Sequence, residues 1–166
     1  MASKASFTPD EWGRVLASPM VAGMAITAAD PSGLWGLMKE GMAGGWALLH
    51  AKQNPNANAL VKALADDFAT GDARSPARER IQTTFKGAQL GDLKGRAVEE
   101  LRAVASIVRT KAPEDAPAFT AWLRDVAQKA AEASKEGGFL GFGGVAVSDA
   151  EKTTLAEISA ALNVPA

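Results

Sequence analysis

The chain has no cysteine. That excludes disulfides, thiol nucleophiles, Cys-ligated zinc, iron–sulfur clusters and covalently attached c-type haem. It also suits a reducing compartment. Histidine is almost as scarce: His50 stands alone. One His cannot supply the paired Glu-x-x-His ligands of a di-iron bundle. A carboxylate-only calcium loop of the form D-x-[DN]-x-[DN]-G is absent too, so no metal or other cofactor is expected. The most apolar run, residues 20–29 (MVAGMAITAA), falls well short of the roughly 20 residues a spanning helix needs. The opening residues, MASKASFTPDEW, contain no apolar h-region. The expectation is a soluble, cytoplasmic protein that is not integral to a membrane. There is no strand array and no fixed-period repeat.

Charge is nearly balanced, at −1 over 166 residues, which argues against a generic polyanion binder. The balance conceals an asymmetry. Residues 73–111 carry 9 basic and 4 acidic side chains, a net +5. Residues 1–72 net −2 (5 basic, 7 acidic), and residues 112–166 net −4 (4 basic, 8 acidic). Within the basic third Phe85 is the only aromatic, so no base-stacking platform is indicated and nucleic acid is not an expected partner. An acidic protein surface fits better, including an acidic segment of a second copy.

What the chain does have is proline in a telling position. Thr8-Pro9, Ser18-Pro19, Asp30-Pro31, Asn54-Pro55 and Ser75-Pro76 account for five of the eight prolines. Each couples a good N-cap residue to Pro at the first helical position, where its missing N–H costs nothing. The pattern predicts five helix starts. At the first, Thr8 and Glu11 have capping-box spacing, with Phe7 and Trp12 at the staple positions. Pro19 is expected to end that helix, because a proline inside a helix removes a hydrogen bond. A short apolar helix from Pro19 to Ala29 should follow.

The stretch from Asp30 to Gln53 reads as a long helix with two adjacent apolar stripes. Leu34, Met38, Gly41, Gly45 and Leu48 form one, and Trp35, Met42, Trp46 and Leu49 the other. Its glycines cost about 1 kcal/mol each relative to Ala in a helix interior, which suggests close approach of a neighbouring backbone. Downstream, Leu60, Leu64 and Phe68 share a helical face, as do Ala77, Ile81 and Phe85. Leu93, Ala97, Leu101, Val104 and Val108 give the cleanest amphipathic pattern. Phe119 to Ala133 makes another helix. Ser148 and Glu151 form a second capping box, before a last helix carrying Leu155, Ile158 and Leu162.

These patterns predict an all-α fold. Six to eight helices pack as a compact, orthogonal or bundle-like array around the apolar helix 31–53. Residues 1–166 form a single domain, with a Gly-rich connector at 135–147 before the C-terminal helix.

No motif singles out a reaction. GGFLGFGG precedes a helix start but lacks the Lys-Ser/Thr of a P-loop. Its Phe139, Leu140 and Phe142 serve either as apolar plugs or as an exposed patch for a partner. The adjacent pairs Asp66-Asp67, Glu99-Glu100 and Glu114-Asp115 read as solvated faces, because neighbours on a helix point about 100° apart. His50 offers a general base or a haem ligand, with Met38 or Met42 as a second. Against that stands a plain helix C-terminal His. The reading that follows is a non-catalytic interaction or regulatory protein, homodimeric or bound to a protein partner. Trp35, Met42, Trp46, His50, Phe139 and Phe142 are its candidate contact residues. The alternative is a binder of, or an enzyme acting on, an apolar or anionic small molecule in a pocket beside the central helix.

Overall fold

The computed structural model of the protein describes residues 2–29, 45, 47–71, 74–136 and 147–165. Every regular element among them is helical. A single 3-10 turn, Lys4–Ser6, leads into α1 (Pro9–Ala29). Helical residues 47–53 follow, then α2 (Ala59–Ala69), α3 (Arg74–Phe85), α4 (Leu90–Lys111), α5 (Ala116–Glu136) and α6 (Asp149–Leu162). Among the described elements the hub is α1, which packs on α3, α4, α5 and α6. Of the expected central helix 31–53, only residues 45 and 47–53 are described. No helix among the described residues is long and apolar enough to cross a membrane.

The start of α1 follows its local chemistry. The Thr8 N–H donates to Glu11 Oε2 at 2.8 Å, and the Glu11 N–H donates back to Thr8 Oγ1 at 3.3 Å. The Phe7 and Trp12 rings lie 5.5 Å apart across this cap. The helix does not stop at Pro19, contrary to the sequence reading. It runs on to Ala29 as one element. Pro19 has no N–H for the carbonyl of Val15, and the neighbouring Ser18 hydroxyl donates to that carbonyl instead, at 2.7 Å. Two expected short helices are therefore one long buried one. Val15, Leu16, Val21, Ala22, Ala25 and Ile26 are all at most 1% exposed.

Two other starts move. Asn54-Pro55 does not open a helix. The Asn54 side chain accepts the Asn56 N–H in a local turn, and Asn58 caps α2 by accepting from the N–H groups of Leu60 and Val61. Helix α3 begins at Arg74, placing Pro76 within its first turn, where a missing N–H is harmless. Its C-terminal end is closed by Arg96 of α4, whose guanidinium donates to the carbonyls of Thr84 and Lys86. Gly71 and Gly87, with φ of +88° and +69°, take the left-handed turns after α2 and α3. The capping box at Ser148 and Glu151 forms as read. Helix α6 ends on Asn163 in the left-handed region.

The core faces match the spacings. Ala97, Leu101, Val104 and Val108 of α4 are fully buried, as are Leu60 and Leu64 of α2, Phe119 and Leu123 of α5, and Ile158 of α6. Gly45 is the described glycine of the 31–53 stretch. A Cβ there would meet the Phe68 ring at 3.7 Å, an ordinary contact. At this position glycine is not demanded by close packing.

Candidate functional site

The adjacent carboxylates depart from the solvated-face reading. In each pair one member faces solvent and the other faces in. Asp66 is exposed, while Asp67 accepts the Trp12 indole N–H at 2.6 Å and the Lys4 ammonium at 3.1 Å. Glu114 is exposed, while Asp115 is 8% exposed. Asp115 accepts from the Ala2 N–H and the Asn58 amide, both at 2.9 Å, tying three segments together. Glu99 is exposed, while Glu100 is 6% exposed and takes a two-pronged hydrogen bond from Arg14 at 2.8 and 2.6 Å. Arg80 stands 3.4 Å from Glu100 and 3.2 Å from Asp10. For Asp66-Asp67 on α2 and Glu99-Glu100 on α4, the 100° step between helical neighbours is what lets one member turn inward, while Glu114 and Asp115 lie in the turn before α5.

Burial pushes the Glu100 carboxyl up. The hydrogen bonds and charge of Arg14, with the charge of Arg80, outweigh it and hold the group below the usual carboxylate range. The same bonds raise the Arg14 guanidinium. This cluster joins α1, α3 and α4, and its charges are matched internally.

A different region holds cations without a carboxylate partner among the described residues. Helices α5 and α6 pack together, and a hollow opens on each side of Arg124, which lines both. The larger, about 740 Å³, is walled by Pro113, Ala116, Pro117, Ala121, Leu162, Val164 and Pro165, with Arg109 of α4 and Arg124 as its cations. The Thr120 hydroxyl in this wall is already committed to the Ala116 carbonyl at 2.9 Å. The smaller, about 300 Å³, is formed by Arg124 and Gln128 of α5 with Val147, Lys152, Leu155, Ala156 and Ser159.

The partners of the arginines set this groove apart. Arg14, Arg80 and Arg102 pair with carboxylates. Arg74 and Arg96 donate to carbonyls. Among the described residues only Arg78, Arg109 and Arg124 have neither kind of partner, and two of these three line the groove. The Arg124 Nε and the Ser159 Oγ are buried with no hydrogen-bond partner among the described residues. Leaving such a group unmatched costs about 1–3 kcal/mol.

Of the candidate contact residues singled out from the sequence, only His50 is among the described residues. Trp35, Met42, Trp46, Phe139 and Phe142 lie outside the described residues. His50 is exposed, near the end of helical residues 47–53. Among the described residues no group of three or more His, Asp or Glu side chains is placed to hold a metal ion. The groove was not visible in sequence, because Arg124 and Ser159 sit on different helices and neither belongs to a motif. The one available signal is Arg124 itself, the cation on a helical face otherwise made of Pro117, Thr120, Ala121 and Gln128. No protein-family model, curated protein or solved structure matches the chain.

Proposed function

We propose that the protein is a non-catalytic binding module whose α5–α6 groove receives an acidic, partly apolar segment of a partner protein. The observation that carries this reading is the pair Arg109 and Arg124. Both lack a carboxylate or carbonyl partner among the described residues, and both border a mainly apolar hollow. Apolar walls supply affinity, and cations in the groove select the sign of the ligand's charge. The cysteine-free chain fits a reducing, cytoplasmic setting for such a module.

The test is fluorescence anisotropy with a labelled amphipathic peptide carrying Leu on one face and Glu on the other. The same peptide with Lys in place of Glu is the comparison. The acidic peptide should bind saturably and the basic one should not. Equal binding of both, or of neither, overturns the reading. Light scattering of the protein alone should give the 17.2 kDa monomer. A doubled mass abolished by Arg109→Glu would put a second copy of the chain in the groove instead of a separate partner.

A small molecule with an apolar body and one anionic group is the second reading. It is favoured by the size of the larger hollow, about 740 Å³, which falls among small-molecule pockets of about 300–1,000 Å³. A discrete bound mass in native mass spectrometry of freshly purified protein would select it over the peptide.

A further inference from the structure

We infer that Asp115 is a positioning residue for the α5–α6 groove. Its carboxylate ties the turn between α4 and α5 to two distant segments, so that a change at either segment alters binding in the groove. The inference rests on the proposed groove for its functional consequence, while the mechanical tie is testable without any ligand.

Asp115 directly precedes α5 and is 8% exposed. Each of its carboxylate oxygens takes one hydrogen bond from outside the turn. Oδ2 accepts the Ala2 N–H and Oδ1 accepts the Asn58 side-chain amide, both at 2.9 Å. Both donors are neutral groups, and a nearly buried carboxylate depends on such bonds to stay where it is. Removing one leaves it half satisfied, and it regains its bonds by turning out to water.

The turn that moves with it builds the groove. Pro113 in the turn, with Ala116 and Pro117 at the start of α5, lines the larger hollow, between Arg109 on α4 and Arg124 on α5. Helices α4 and α5 pack mainly on α1 and touch each other little. Within the turn the Ala112 carbonyl accepts the Asp115 and Ala116 N–H groups, both at 3.0 Å. These bonds keep the shape of the turn. Its place against the neighbouring segments comes from the small buried side chains of Ala112 and Ala116 and from the Asp115 carboxylate.

Both donors belong to segments with their own anchors. Asn58 caps α2. Ala2 opens a segment held by the Lys4–Asp67 ion pair at 3.1 Å and by Phe7, which is buried against Trp12. A ligand in the groove and a contact that moves either segment therefore act on each other by the same factor.

The first experiment compares amide NMR spectra of the isotope-labelled full chain, wild type against Asn58→Ser. Serine keeps a capping oxygen for α2 and removes the donor to Asp115. Shifts are expected at Ala116, Thr120 and Ala121 on the groove wall. Anisotropy with the acidic Leu/Glu peptide should then show affinity lowered about fivefold or more in Asn58→Ser. The same loss is expected in Asp115→Asn, which keeps one acceptor oxygen in place of two. Ser18→Ala, a destabilising change in α1 that breaks no bond of the turn, should leave affinity unchanged. In wild type, saturating peptide should shift the Ala2 amide and the Asn58 side-chain amide. Groove amides that stay in place in Asn58→Ser overturn the tie, and so does an equal loss of affinity in Ser18→Ala. If the peptide binds wild type and Asn58→Ser equally, the tie falls and the groove stands. If the groove amides move but no peptide binds wild type, the tie stands and the partner reading falls.

Discussion

Proline at position 19 is tolerated in the middle of α1 because its neighbour does the work of the missing N–H. The Ser18 hydroxyl reaches the Val15 carbonyl at 2.7 Å in a fully buried setting. Ser18→Ala should therefore cost about 1 kcal/mol or more, since it leaves a buried carbonyl without a partner. In a Pro19→Ala background the backbone N–H returns, and the same Ser18→Ala change should cost less. A double-mutant cycle by urea denaturation measures the difference, and equal costs in the two backgrounds would show that the hydroxyl is not standing in for the backbone. The residue scale also shows why sequence reading erred here. Ser-Pro is a sound helix start, and whether the serine caps a new helix or repairs an old one depends on φ/ψ at that residue. Asn54 makes the same point in reverse. Its side chain closes a turn on Asn56, so the cap passes to Asn58.

At the scale of elements, capping boxes and amphipathic faces were legible because they are local. Thr8–Glu11, Ser148–Glu151 and the α4 face from Ala97 to Val108 need only the helical repeat to be seen. Contacts between elements were not. Glu100 looks like half of an exposed pair until Arg14 of α1 and Arg80 of α3 are brought beside it. Removing it by Glu100→Ala strands two arginines. It should cost about 3 kcal/mol, the low end of the range for breaking a buried pair, since the arginines reach solvent.

The pH dependence has a definite sign. The Glu100 carboxyl is held below its usual range when folded, so its contribution is full above the unfolded value of about 4.3 and is lost as pH falls through the lowered folded value. Wild type should lose stability on acidification below pH about 4.3 more steeply than Glu100→Gln. Parallel acid profiles by circular dichroism would contradict this. The charge at Arg109 and Arg124, unmatched among the described residues, was invisible for the same reason as the matched charge at Glu100: it takes three helices and residues 163–165 to assemble the groove.

For the whole molecule, α1 fixes the arrangement of the packed helices, and the functional question moves to its far neighbours, α5 and α6. Their groove combines apolar walls with two arginines that the described residues do not neutralise, which is how a surface chooses an acidic ligand. The most direct measurement is a charge swap. Arg109 lies on the rim, so Arg109→Glu cancels the charge of the groove against Arg124 while leaving the core intact. Binding of the acidic Leu/Glu peptide to this variant should fall by about tenfold or more, and its preference over the basic Leu/Lys peptide should disappear. Unchanged preference for the acidic peptide after the swap, with the circular dichroism spectrum of the variant intact, would contradict the account.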